Sequence, residues 1–205
     1  NKGDYGKVLI IAGSNGMTGA AVMAAKAALR TGSGLVTIGT ARSLNGIIEA
    51  KLTEAMSLPL EDEGRGVLSY SCVEQILEKM NKVDVLAFGP GLSTDERIVD
   101  ILTELLKQSR IPIIIDADGI NALAKNINVL NECSCPVVLT PHPGEMSRLT
   151  GLDIQYIQAN RIEIARKYAK EWNAIVVLKG AGTVVALPDQ EVFINCTGNP
   201  GMATG

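Results

Sequence analysis

The polar chemistry of this chain rests on one histidine, one lysine, two aspartates and a glycine-rich ending. His142 is the only histidine and lies in Thr140-Pro141-His142-Pro143-Gly144-Glu145, at the end of the apolar run 137–140. The two prolines fix the backbone around it and deny a continuous helix before Pro143, which then suits the first position of a helix over 144–150. An imidazole on so rigid a turn can hold a ligand, although a plain turn with a surface histidine would look the same. Glu145 falls in the first helical turn, where a carboxylate interacts well with the helix dipole. It is a candidate for a water-mediated metal contact and equally for a cap. Lys179 opens Lys179-Gly180-Ala181-Gly182-Thr183 between two apolar runs. Its ammonium can neutralise phosphate, and the glycines let backbone approach a flat base closely. A hairpin with glycines at positive φ is the bland alternative. Asp116 and Asp118 follow the run 111–115; Asp118 can cap the next helix, and one of the two can face a ligand instead. The ending Thr197-Gly198-Asn199-Pro200-Gly201-Met202-Ala203-Thr204-Gly205 follows the strand-like 191–195. A glycine turn after a strand leads into a helix whose free N–H groups can hold an anion.

Those residues need a frame. Apolar, β-branched runs recur at 8–12, 35–40, 83–88, 111–115, 137–140, 175–178, 183–187 and 192–195. Several are apolar at every position, as strands buried on both faces are. Helical patterns fall between most of them, at 18–31, 44–51, 71–80, 94–109, 119–124 and 154–171. Strand alternating with helix implies parallel βαβ units, hence an α/β class and a three-layer α/β/α domain with a mostly parallel central sheet. The last two runs are joined only by Pro188-Asp189-Gln190, a hairpin at one sheet edge. Residues 42–66 have the weakest pattern, and Glu61-Asp62-Glu63-Gly64 within them suggests a surface loop. With no repeat, low-complexity tract or linker, one domain over 1–205 is expected.

Gly13, Gly89, Gly91, Gly144, Gly180, Gly182 and Gly198 all stand just past the end of an expected strand. In an open parallel sheet, ligands bind outside the carboxyl ends of the strands. Each glycine alone is explained by turn making, but the set implies a nucleotide-sized site. The chain has no G-x-x-x-x-G-K-[ST] and no G-x-G-x-x-G after the first strand, so neither a P-loop nor a standard dinucleotide site is expected.

Composition removes other classes. A net charge of −3 with no basic block argues against nucleic acid as the partner. No apolar run reaches the ~20 residues of a membrane span. Cys72, Cys133, Cys135 and Cys196 form no C-x-x-C pair and meet a single histidine, so a structural zinc site is not expected. Free thiols and a cytoplasmic setting are the expectation.

Taken in order, Lys2-Gly3-Asp4-Tyr5-Gly6, Ala12-Gly13-Ser14, Gly19-Ala20-Ala21, Gly89-Pro90-Gly91-Leu92, Asp116-Ala117-Asp118, the Pro-His-Pro-Gly-Glu turn, Lys179-Gly180 and the 198–205 ending closely resemble the NAD(P)H-hydrate dehydratases of the ribokinase-like superfamily. The resemblance runs through essentially the whole chain. It implies a lyase that repairs NAD(P)HX, the hydrated nicotinamide cofactor. ADP or ATP phosphorylates the added hydroxyl, and phosphate then leaves. It implies Ala20, Ala21, Gly91 and His142 as contacts to the hydrated cofactor, with Asp116 and Asn121 as further candidates at that site. Lys179, Gly180, Ala181, Gly182 and Thr183 would form the adenine-nucleotide loop. Asn199, Gly201, Met202, Ala203 and Gly205 would begin the anion hole, and Glu145 would reach magnesium through water. In the family, that ending continues to an aspartate acting as general base. The base is therefore expected beyond Gly205, the C-terminal part of the domain is expected to be missing here, and these 205 residues alone are expected to be nearly inactive. A homo-oligomer, a tetramer by resemblance, and an epimerase as fused or separate partner are further implications. Two alternatives compete: a ribokinase-like kinase acting on a vitamin-precursor alcohol, and a non-catalytic nucleotide-binding module.

Overall fold

A computed structural model describes residues 2–199. The chain divides by its contacts into two compact units, Asn1–Pro136 and Val137–Gly205.

The first unit holds five parallel strands: β1 (Lys7–Ile11), β2 (Leu35–Ala41), β3 (Met56–Leu60), β4 (Val85–Phe88) and β5 (Ile113–Ile115), in the order β3-β2-β1-β4-β5. β1 is central, and Leu9, Ile10 and Ile11 are all essentially inaccessible, so both of its faces are covered. Ile10 joins a core cluster with Ala21, Val22 and Ala25 of α1 (Thr18–Arg30) and with Ile48 of α2 (Asn45–Lys51). Alternation along the strand turns Leu9 and Ile11 to the opposite face. Two further helices, α3 (Val73–Met80) and α4 (Glu96–Gln108), pack on each other. α4 buries Ile98, Ile101, Leu102, Leu105 and Leu106, the i, i+3, i+4, i+7, i+8 stripe of a one-sided helix. The last helix of this unit is α5 (Asp118–Ala124).

Strand β3 is absent from the sequence-based expectation. Met56-Ser57-Leu58-Pro59-Leu60 has neither clean alternation nor a continuous apolar run, and Pro59 argues against a strand. The order explains the exception: β3 is the terminal strand beside β2, where a missing N–H is tolerated. The loop expected after it is exposed at Glu63 and Gly64, with one exception. Asp62 is buried, and its carboxylate accepts hydrogen bonds from Ser43 Oγ, Gly64 N at 3.3 Å and Gly66 N at 2.9 Å. These bonds hold its carboxyl below its ordinary pKa despite the opposing effect of burial.

The second unit contains β6 (Val137–Leu139), α6 (Pro143–Thr150), α7 (Ile154–Ala159), α8 (Arg161–Glu171), β7 (Ile175–Leu178), β8 (Thr183–Ala186) and β9 (Val192–Asn195). β6 and β7 are parallel, whereas β7–β8 and β8–β9 are antiparallel. The expected hairpin at Pro188-Asp189-Gln190 is present, closed by Leu187 N to Glu191 O at 2.9 Å with Gln190 at φ 77°. The helix expected over 154–171 is broken at Asn160, whose φ of −126° and ψ of 33° are not helical. Its side-chain amide donates to Tyr156 O at 2.9 Å, ending α7 one residue before α8 begins.

The start of α4 makes a measurable contribution. Asp95 accepts from Arg97 N at 3.0 Å as N-cap, and its two oxygens also take the Arg97 guanidinium at 2.8 Å each. The Arg97 hydrogen bonds hold its carboxyl at about 2, against an ordinary 3.8. The folded value is depressed, so the stabilisation is present above 3.8 and is lost as pH falls through about 2. Asp95→Ala is expected to lower the unfolding free energy by about 1–2 kcal/mol at neutral pH, measured by urea denaturation. The deficit should shrink across that acid window; a deficit independent of pH would show that the ion pair is idle.

Candidate functional site

Each unit gathers its chemistry at the carboxyl ends of its strands, and each is built by backbone packed too closely for side chains. In the first unit, Gly89 ends β4 at φ 132°, and a Cβ there would lie 1.9 Å from Asp116 O and 2.7 Å from Gly119 N. Phe88 O accepts from Asp116 N at 3.1 Å, and Asp116 O accepts from Gly119 N at 2.9 Å. The turn after β4 and the turn after β5 are thereby locked together. Gly91, at φ 67°, also packs against Ala20, whose Cβ is 2.9 Å from the position a Gly91 Cβ would take. Gly13 N donates to Pro90 O at 2.9 Å, joining the turn after β1 to the same group.

This arrangement places the expected residues unequally. Ala20 is half-exposed and Gly91 buried beside it, whereas Ala21 lies wholly within the core. Asp116, just past β5, and Asn121, within α5, are both partly exposed. Asp118 is not the helix cap. It is the first residue of α5, where it accepts from Ser93 N at 3.0 Å and from Asn121 Nδ2 at 3.2 Å. The cap position belongs to Ala117, held at φ 50° and ψ −119°, a conformation that L-residues rarely adopt. Strain of this kind persists only where the surroundings over-determine it. Nothing in an alanine between two aspartates signals it in the sequence.

In the second unit, His142 and Glu145 make a reciprocal cap on α6. His142 Nδ1 accepts from Gly144 N at 3.0 Å and from Glu145 N at 3.3 Å, while Glu145 Oε2 accepts from His142 N at 2.8 Å. A nitrogen that accepts carries no proton, so the hydrogen of the neutral ring sits on Nε2. That nitrogen lies 3.5 Å from Glu145 Oε1, and the imidazole is half-exposed. Glu145 is 5% exposed, and the same Oε2 lies 3.8 Å from Lys179 Nζ. Lys179 N also donates to Pro141 O at 2.8 Å, so the histidine turn and the lysine loop are held side by side.

The residue that shapes that loop was not among the expected ones. Arg161, at the start of α8, donates to Leu178 O at 2.8 Å, Lys179 O at 3.2 Å and Gly182 O at 3.3 Å. Gly180, at φ 151°, passes so close that a Cβ would lie 2.5 Å from an Arg161 nitrogen. Burial lowers the guanidinium pKa from its ordinary value. Beside it lies a groove of about 490 Å³ lined by Asn160, Arg161, Ala181, Gly182, Val184 and Ile194, a size that suits a small organic ligand. Arginine after a helix break carries no loop signature in sequence; only the antiparallel β7–β8 pairing brings it to three carbonyls. Among the described residues no group of three His, Cys, Asp or Glu side chains could hold a metal. Asn199 is described and exposed; Gly201, Met202, Ala203 and Gly205 lie outside the described residues.

A family model described as NAD(P)H-hydrate dehydratase matches residues 8–205. The chain is 52% identical over 204 residues to the bifunctional NAD(P)H-hydrate repair enzyme Nnr of Moorella thermoacetica, covering 100% of this chain and 38% of that protein. It is 37% identical over 205 residues to the ADP-dependent (S)-NAD(P)H-hydrate dehydratase of Bacillus subtilis, covering 100% of this chain and 69% of that one. The crystal structure of the ADP/ATP-dependent NAD(P)H-hydrate dehydratase from Bacillus subtilis, co-crystallized with ATP/Mg2+, is similar with a TM-score of 0.82 at 34% identity, over 100% of this chain and 69% of that chain. The chain spans 38% to 39% of the length of the first bifunctional relatives. The expected three-layer α/β/α ribokinase-like fold with a mostly parallel sheet is borne out by these structural matches.

Arg161→Met keeps the aliphatic stem and removes the donors, leaving three carbonyls without their partner. The variant is expected to lose roughly 2–4 kcal/mol of stability in urea denaturation, with Arg161→Lys recovering only part of it. An unchanged midpoint in Arg161→Met would show that the loop does not need the guanidinium.

Proposed function

The chain belongs to the NAD(P)H-hydrate dehydratase family, and from that membership we propose that it serves ADP- or ATP-dependent dehydration of NAD(P)HX to NAD(P)H, a carbon–oxygen lyase reaction. Hydroxide leaves a saturated ring carbon poorly, whereas phosphate leaves well. Transfer of a phosphoryl group to the added hydroxyl converts one into the other, and the lone pair of the ring nitrogen then expels phosphate and restores the double bond. The protein's share is positioning and charge stabilisation.

The observation that best supports this reading is the Arg161-pinned loop. It fixes Gly180, Ala181, Gly182 and Thr183 beside a groove of ligand size and leaves the Lys179 ammonium half-exposed next to a buried carboxylate. In this proposal those residues bind the adenine nucleotide, and Lys179 meets its phosphate charge. The Bacillus relative named ADP-dependent, and its crystals grown with ATP/Mg2+, support an adenine nucleotide as phosphoryl donor. Ala20, Gly91, Asp116 and Asn121 are proposed as contacts to the hydrated cofactor, and His142 as a further contact through its Nε2–H. Ala21 supports the turn from within the core. Glu145 is committed to the His142 amide and to Lys179, so the described residues build no cage of their own for magnesium. The ion would arrive on the phosphates of the nucleotide, with Glu145 one water away. Asn199 and the glycines after it are proposed to start the anion hole. A single domain over 1–205, a homo-oligomeric assembly, an epimerase partner and a cytoplasmic setting complete the proposal. Among the described residues no helix is long and apolar enough to cross a membrane.

Full-length protein mixed with NAD(P)HX should raise the absorbance of the reduced-nicotinamide band only when ADP or ATP is added. A stable phosphate ester without that rise would favour a kinase, and silence with both nucleotides would sink the proposal. Lys179→Ala should raise the KM for the nucleotide by roughly tenfold or more, the effect of a lost charge-assisted contact, with a smaller change in kcat.

A further inference from the structure

Outside the strand ends, one pair of reactive side chains is unexplained by anything above. Cys133 and Cys135 lie on the short segment between a 3-10 turn, Ile127–Glu132, and the start of β6. Their sulfurs are 3.2 Å apart in a thiol–thiol hydrogen bond, and Cys133 Sγ is also 3.6 Å from Cys135 O. Cys133 is half-exposed; Cys135 is 8% exposed. The intervening Ser134 and the following Pro136 are exposed, so the segment is free of core packing on that side.

We propose that Cys133 and Cys135 are a redox-active dithiol that closes to an intramolecular disulfide on meeting a small disulfide oxidant. A disulfide bond is ~2.05 Å long, so closure needs only a short approach along an existing contact. The roles follow from exposure. Cys133, as thiolate, attacks one sulfur of the oxidant R–S–S–R; that bond breaks and one RS⁻ departs. Cys135 then gives up its proton to solvent or to the departed thiolate, its sulfur attacks the Cys133 sulfur, and the second RS⁻ leaves. Two thiols of the protein are oxidised by two electrons, and one small disulfide is reduced to two thiols. The thiol acidities run the same way: the hydrogen bond from Cys135 holds the Cys133 thiol well below its ordinary value, while that bond and burial push Cys135 up. The remaining cysteines contrast with this pair. Burial pushes the Cys72 thiol up to about 12, and it is inaccessible. Cys196 is exposed and free in the second unit. A ring closed across one intervening residue is small, which favours a labile bond readily reopened by thiols.

The test incubates full-length protein with oxidised glutathione, then alkylates and maps the peptides by mass spectrometry. The peptide carrying Cys133 and Cys135 should escape alkylation, weigh two hydrogens less than its reduced form, and regain both thiols after dithiothreitol. Cys135→Ser should trap glutathione on Cys133, whereas Cys133→Ser should leave Cys135 unmodified. Both thiols of the wild type remaining alkylatable while Cys196 takes up glutathione would overturn the proposal. So would Cys135→Ser failing to trap glutathione on Cys133.

Discussion

The contact between Gly89 and the carbonyl of Asp116 is the constraint on which the first unit's site depends. A parallel strand that ends inside a protein must hand its backbone hydrogen bonds to something. Here the turns hand them to one another: Gly89 N to Ile11 O at 3.1 Å, Gly13 N to Pro90 O at 2.9 Å, Asp116 N to Phe88 O at 3.1 Å. That exchange requires main chains to touch. A single methyl group at Gly89 would sit 1.9 Å from an oxygen that cannot move without breaking the end of β5. The glycines here therefore do more than permit a turn: they let three turns act as one rigid surface. Asp116 and Asn121 gain fixed positions from it, and the unusual backbone of Ala117 is held in place by it.

The second unit solves a different problem with charge. Its histidine turn, lysine loop and first helix meet through Glu145, whose buried carboxylate joins an amide of the cap and an ammonium of the loop. A lone buried carboxylate would be costly; a carboxylate shared between a helix start and a cation is compensated twice. The same carboxylate has less to offer an ion, because Oε2 is shared between that amide and that ammonium and Oε1 lies 3.5 Å from His142 Nε2.

Much of this was legible from residue types. Apolar runs located eight of the strands, since strands covered on both faces have no alternation to lose. The Pro-His-Pro-Gly-Glu turn announced both a rigid corner and the start of α6. The failures have physical causes. β3 carries a proline that only a terminal strand tolerates, and terminal position is a property of the sheet, not of the segment. The break at Asn160 depends on a side-chain bond to Tyr156 that competes with the helix, while the neighbouring residues keep helical spacing. Asp62 looked like one more charge in an acidic loop, yet it organises that loop from within. Arg161 was invisible because its partners are backbone carbonyls, which have no signature in sequence. The Cys133–Cys135 contact escaped notice for a simpler reason: spacing alone says nothing about how a short segment folds its sulfurs together.

Arg161 has one more consequence. A guanidinium stays protonated throughout the range in which enzymes are assayed, even when burial lowers its pKa. The Leu178, Lys179 and Gly182 carbonyls are therefore gathered by a charge that does not titrate there. Had a histidine taken this place, the shape of the loop would itself have varied with acidity. As built, the anchor of this loop adds no ionisation of its own to a pH–rate profile.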